Sequence, residues 1–302
     1  MYFSKVTLAV AGASLVSAAP VEKRADITDA DILNYALTLE HLEDTFYREG
    51  LAKFTEEQFA DAGFDSTFYS NLMEVASDEA SHVKFLTAGL TDSSAAGATP
   101  VAECTYDFGY TDVASFLATA SILEGVGVSA YLGAAADIMS KTYLTAAGSI
   151  LTVEARHSAY LRSKLGKVPF PQAFDTPLTL DEVYSLASPF ITSCPTSNPA
   201  LPVKAFPALS LDPTTSTPIK AGDAITLLTP GYTVKGADGD AKVYAAFIAV
   251  TGPTFVEATP VDGGFSVKVP EGFAGQTYAV LTGCNESVTD ETVVAGPALI
   301  EI

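Results

Sequence analysis

Two four-residue phrases carry the chemistry of this chain, Glu79-Ala80-Ser81-His82 and Glu154-Ala155-Arg156-His157. Between them they use two of the only three histidines in 302 residues. On a helix, residues three apart share a face, so each phrase aims one carboxylate and one imidazole at the same point. Oxygen and nitrogen donors delivered together in this way are metal ligands, and two such points can hold two ions. Two further segments each place a glutamate seven residues before a tyrosine, Glu40 with Tyr47 and Glu124 with Tyr131.

The halves agree beyond these residues, because Glu79-Ala-x-His82-x-x-Phe85-Leu86 matches Glu154-Ala-x-His157-x-x-Tyr160-Leu161. Read in order, the ligand candidates are Glu, Glu-x-x-His, Glu, Glu-x-x-His, which resembles the ferritin-like four-helix bundles that hold a di-iron or di-manganese centre. The resemblance covers roughly Asp26 to Cys194. Within that superfamily the chain is similar to secreted fungal proteins described as stress-response or late-sexual-development proteins, themselves related to plant desiccation-associated proteins. It implies a cofactor of two Fe or two Mn ions, held by Glu40, Glu79, His82, Glu124, Glu154 and His157. Glu79 and Glu154 would bridge the ions, and Glu40 and Glu124 would be terminal ligands. The implied activity is oxidoreductase or peroxide-protective chemistry. The alternative is a non-catalytic extracellular or cell-wall protein in which the metal staples the helices together.

The residues support this pattern independently. Leu72, Val75, Glu79, His82 and Leu86 follow one another by three, four, three and four positions, a heptad seam that places the ligands in line with core residues. An unpaired charge there costs several kcal/mol unless it is neutralised or coordinated. Four carboxylates balance two divalent cations, and a mostly oxygen environment with two imidazoles suits iron or manganese better than zinc. Glu43 lies one turn beyond Glu40, so either could face inward; the shared spacing to tyrosine favours Glu40, and the counterpart of Glu43 in the other half is Gly127. His41 projects about 100° away from Glu40 and reads as a residue outside the ligand set. Tyr47 and Tyr131 are expected either to donate hydrogen bonds to the bridging carboxylates or to pack in the core.

The elements that must position these residues are legible in outline. Helices are expected over about 29–51, 66–90, from 111 or 112 onward, and through the stretch that ends at Gly166, with a short piece at 55–62 and another within 179–191. The Ser-, Ala-, Gly- and Pro-rich stretch 91–110 is long enough to cross between the ends of a bundle. Prolines recur from Pro195 to Pro218, and five strand-like runs follow (224–229, 242–251, 265–269, 277–282 and 293–302), with turn signals at Asp238-Gly239 and Asp262-Gly263-Gly264. The expected architecture is mainly α: a ferritin-like four-helix bundle over 25–194, a Pro-rich linker over 195–218, and a small antiparallel β-sandwich over 219–302.

A net charge of -20 repels nucleic acids and anionic membrane surfaces alike, so neither is an expected partner; metal ions and cell-wall components are. The chain opens on Met1-Tyr-Phe-Ser-Lys5, an apolar run and small residues, the pattern of a signal peptide over 1–18, and a possible propeptide over 19–24 ends in Lys23-Arg24. Secretion to an extracellular or cell-wall location is the expectation. The apolar stretch from Val113 is a poor membrane span because Glu124 sits in its middle. Of three cysteines, Cys104 in the crossover between helix pairs and Cys194 just after the helical region are the favoured pair, although sequence leaves other pairings open. Asn285-Glu286-Ser287 is an acceptor pattern for N-glycosylation.

Overall fold

The computed structural model describes residues 27–92, 97–234 and 242–302. The expected signal segment, the Lys23-Arg24 site and the Asp238-Gly239 turn lie outside the described residues. Helix α1 (Asp29–Lys53) starts where the Thr28 hydroxyl accepts from Asp31 N and the Asp31 carboxylate accepts from Thr28 N, a reciprocal cap that satisfies two otherwise orphaned donors. After the short α2 (Glu56–Asp61), α3 (Ser66–Thr91) is capped by Asp65. Helices α4 (Val113–Ala134) and α5 (Lys141–Lys164) start at Asp112 and Ser140, whose side chains accept from Ser115 N and Tyr143 N. A sixth helix, α6 (Leu180–Ala187), starts at Thr179 and leans on α4.

Helix α1 packs along α3, and α4 along α5. Helices α1 and α4 run antiparallel, since Gly50 near the end of α1 abuts Phe116 near the start of α4 while Ile32 and Ala134 pack at the opposite end. Gly50 is a requirement of that approach, because a Cβ there would lie 2.1 Å from the Phe116 ring. Around this point Phe46 and Phe116 stack, and Tyr47, Phe54, Phe59 and Tyr110 set their rings about them. Helix α4 is long and apolar enough to cross a membrane, yet 67% of its most apolar stretch is buried in the protein. Its neutrality is that of a core helix.

The crossover from α3 to α4 is pinned at its middle. Strand β1 (Thr105–Tyr106) pairs with β2 (Ile191–Ser193), and a disulfide joins Cys104 to Cys194. Cys284 is free. The Pro-rich stretch also lies against the helices: Lys204 N and Phe206 N donate to Asp181 Oδ1 and Ser185 Oγ of α6.

The C-terminal region departs from a two-sheet sandwich. Strands β3 (Ser210–Leu211), β4 (Ala224–Leu228), β5 (Val243–Phe247), β6 (Thr254–Val261), β7 (Gly264–Lys268), β8 (Gln276–Thr282) and β9 (Val293–Glu301) form one antiparallel sheet in the order β3-β4-β7-β6-β5-β8-β9. The cause is β6, which sequence patterning missed because Pro260 and the acidic Glu257 interrupt it. Its first half pairs with β5 and its second half with β7, so it turns the corner between what would otherwise be two sheets. Next to the opposite edge strands, Gly296 N of β9 donates to Pro207 O just before β3, which brings the sheet nearly to a barrel.

Bundle and sheet share a core. Ile32, Tyr35, Val126, Ala130 and Val183 from the helices pack with Ala246, Ile248, Tyr278 and Val280 from the strands. The buried Arg162 of α5 adds a two-pronged ion pair to Glu301 of β9, at 2.7 and 3.1 Å.

Candidate metal centre

The four long helices converge on one acidic cluster. Glu40 comes from α1, Glu79 and His82 from α3, Glu124 from α4, and Glu154 and His157 from α5, and all four glutamates are at most 1% exposed. Each Glu-x-x-His phrase presents both side chains to one face, as its spacing requires. The six residues fall into two overlapping quartets, Glu40-Glu79-His82-Glu154 and Glu79-Glu124-Glu154-His157, in each of which one donor atom per residue lies within 4.8 Å of the others. Glu79 and Glu154 belong to both quartets. The bundle therefore holds two overlapping groups of donor side chains with two carboxylates in common.

Both imidazoles turn Nδ1 toward the cluster. His82 Nδ1 lies 3.1 Å from Glu79, 3.2 Å from Glu40 and 3.3 Å from Glu154; His157 Nδ1 lies 3.0 Å from Glu79 and 3.3 Å from Glu124. The other nitrogen of His157, Nε2, sits 3.1 Å from Asp78 Oδ2. With a proton on Nε2 directed at Asp78, the lone pair on Nδ1 is free for a cation. Asp78 escaped the sequence reading because the counterpart position in the other half is Val153, so the internal repeat carries no signal for it.

Tyr47 Oη donates to Glu124 Oε1, and Tyr131 Oη donates to Glu40 Oε1. The tyrosines thus hold the terminal carboxylates and not the shared pair expected from sequence. The reason is the antiparallel pairing of α1 and α4: seven residues displace each tyrosine about 10 Å along its own helix, which carries it past its own glutamate to the one on the facing helix. Burial pushes both phenols well above their ordinary range, with the neighbouring carboxylates adding to it, so both remain donors.

Glu43 is also buried, 5% exposed, but lies outside both quartets. A Cβ on Gly127 would lie 2.8 Å from Glu154 Oε2 and 3.1 Å from Glu43 Oε1. The glycine opposite Glu43 in the repeat is thus the space these two carboxylates occupy. His41 faces away, with Nε2 3.2 Å from Val101 O.

Electrostatically the cluster is short of positive charge. Burial first, and then the surrounding carboxylates, push Glu43 and Glu154 well above the ordinary glutamate range; burial likewise raises Glu124. Burial opposes charge on the imidazoles, but their carboxylate contacts prevail and hold His82 up to about 12 and His157 up to about 11. Even so, Glu40 Oε2, Glu79 Oε1, Glu124 Oε2 and Glu154 Oε1 are buried and face an imidazole Nδ1 at 3.0–3.3 Å without good hydrogen-bond geometry, and Glu154 Oε2 has no hydrogen-bond partner among the described residues. Buried polar atoms are almost always satisfied, and here the unsatisfied ones point at one another from four helices. That is the donor set of a cation site.

The sheet braces this centre. Gln276 Nε2 donates to Ile122 O and Tyr278 Oη to Gly125 O, at 3.1 Å each, so two side chains of β8 grip α4 on either side of Glu124. Asn285 is exposed in the turn after β8.

Comparison with known proteins agrees with the geometry. Residues 28–167 match the family model described as Ferritin-like domain. The chain is also 30% identical over 183 residues to Protein rds1 of Schizosaccharomyces pombe, a stretch covering 61% of this chain and 44% of that protein. The match thus spans less than half of the relative's length. Over residues 28–167 the helical region of this chain is therefore similar to a ferritin-like domain.

Proposed function

We propose that the centre binds two iron or manganese ions, with Glu79 and Glu154 shared between them, Glu40 and His82 completing one site, and Glu124 and His157 the other. The observation that carries this reading is the pair of quartets with common carboxylates and unsatisfied donor atoms. Four ionised carboxylates offset two divalent charges, and Glu43 lies outside both quartets. When bound, such a pair of ions supplies a two-electron couple for reaction with dioxygen or peroxide. The chain's own contribution is positional: Tyr47 and Tyr131 fix the terminal carboxylates, Asp78 fixes the His157 ring, and the packed helices exclude water.

The favoured activity is that of an oxidoreductase or peroxide-protective protein in stress or development, exported from the cell. The N-terminal sequence pattern supports export, and the Cys104–Cys194 disulfide fits an oxidising compartment. The burial of the centre favours a second reading, in which the ions tie four helices together without turnover. Elemental analysis of the full-length protein tests the metal, with about two iron or manganese ions per chain expected by the ligand count. No metal after reconstitution would overturn both readings. Hydrogen peroxide and dioxygen consumption by the loaded protein then separates the catalyst from the staple.

A further inference from the structure

Where β8 meets α4 and α5, a cavity of about 230 Å³ opens over Gln276 and Tyr278 of β8 and Ser129 of α4. A second, of about 400 Å³, adjoins it along the segment 171–174, which lines both. Together they fall within the roughly 300–1,000 Å³ typical of ligand sites. None of the six candidate metal ligands lines either cavity. The wall of the first is rich in hydrogen-bonding groups. Thr176, 7% exposed, and Ser158 bring hydroxyls and Asp175 a carboxylate, and none of these side chains has a protein hydrogen-bond partner among the described residues. The cationic side chain in the wall, Arg162, is engaged by Glu301 and by Val168 O. The wall therefore has no spare positive charge for an anion, and a single carboxylate is a poor cage for a cation. What it can satisfy is a neutral ligand that carries many hydroxyls.

The mouth of this cavity is aromatic. Phe170 and Phe174 line it at 79% and 65% exposure, more than any other large hydrophobic side chain among the described residues. Their segment is nonetheless held in place. Arg162 Nε donates to Val168 O at 2.8 Å, Gln172 Nε2 donates to Ala274 O at 2.6 Å, and Pro169 and Pro171 fix their own φ. Pro171 sits against Gly275, where a Cβ would lie 2.2 Å from the Pro171 Cγ. Two phenyl rings are thus fixed in water beside a polar cavity, an arrangement that burial within the chain does not explain. An aromatic platform next to hydroxyl-bonding groups suits a pyranose whose hydroxyls are all equatorial. Its axial C–H bonds lie on a ring face while its rim of hydroxyls reaches the polar wall.

We propose that the two cavities bind a neutral oligosaccharide of all-equatorial hexose units, with Phe170 and Phe174 as stacking platforms and Ser158, Asp175 and Thr176 as hydrogen-bond partners. The site is separate from the candidate metal centre, so its test is independent of that reading and uses the full-length protein in chelator. Isothermal titration calorimetry with cellotetraose and with laminaritetraose should show saturable binding of at least one, with Kd below about 1 mM. The double variant Phe170→Ala/Phe174→Ala, at exposed positions, should weaken it by about tenfold or more. Thr176→Val, which keeps the shape of the side chain, should weaken it several-fold. Phe85→Ala removes an exposed phenylalanine of α3 and should leave the affinity unchanged, with thermal melts confirming that each variant folds. Saturation-transfer NMR should place the strongest contacts on the axial C–H protons of the sugar. No saturable binding of either sugar, or undiminished binding by the double variant, would overturn the proposal. Tighter binding of an oligoglucuronate than of cellotetraose would overturn it as well, since the wall has no spare cation for a uronic acid.

Discussion

Glu79→Gln gives the sharpest test of the shared-carboxylate geometry, because Glu79 belongs to both quartets and faces both imidazoles. The substitution preserves volume at a fully buried position while removing one negative charge from the cluster. In metal-free protein both imidazoles lose the carboxylate that faces them at 3.0–3.1 Å, which should destabilise the fold by about 1–3 kcal/mol, the range for leaving a buried polar group unpaired. In wild-type protein at a metal concentration 100 times Kd, each ion adds about 2.7 kcal/mol, or about 5.4 kcal/mol for two. At roughly 2–4 °C per kcal/mol, this is a rise of about 10–20 °C in Tm. Glu79 belongs to both quartets, so the variant should lose most of that rise, whereas Glu40→Gln, in one quartet, should keep about half. Scanning calorimetry with chelator and then with manganese measures both arms. A variant more stable than wild type without metal, or one with an undiminished metal response, would refute the reasoning.

Gly127→Ala should destabilise by up to about 2 kcal/mol in urea unfolding and lower metal content, because overpacking against Glu154 and Glu43 costs about 1–3 kcal/mol against a helix-propensity gain of about 1 kcal/mol. Cys104→Ser opens a link spanning 90 residues, and loop-closure entropy puts the loss at about 4–5 kcal/mol by the same assay, equal to the effect of reductant on wild type. Metal-free stability should fall as pH rises. Glu43, Glu124 and Glu154 have folded values raised above the ordinary 4.5, and His82 and His157 values raised above 6.5, so each contributes fully below its ordinary value and loses that contribution as pH climbs through the raised one. Urea midpoints that rise between about pH 5 and about pH 9 in chelator would contradict this sign. Metal must displace the protons on the imidazoles, so loading should release protons in calorimetry with buffers of different ionisation enthalpy, and affinity should increase with pH.

The sequence by itself determined which acidic and histidine side chains share a helix face. Residue spacing along one helix is a local property, so Glu79 with His82 and Glu154 with His157 had to share a face wherever those helices packed. The internal repeat extended this to Glu40 and Glu124. Only the tertiary structure decided what depends on how the helices face each other. The antiparallel run of α1 and α4 sends Tyr47 to Glu124 and Tyr131 to Glu40, and it seats Glu43 in the space left by Gly127. Asp78 and the brace from Gln276 and Tyr278 were equally illegible, since neither lies in the repeat and the second links residues more than 150 positions apart. The sheet diverged most from expectation because β6 owes its place to pairing with β5 and β7 along different halves of its length. Pairing of that kind is written in the partners and not in the strand, so a strand interrupted by proline carries no periodic signal until its neighbours are in position.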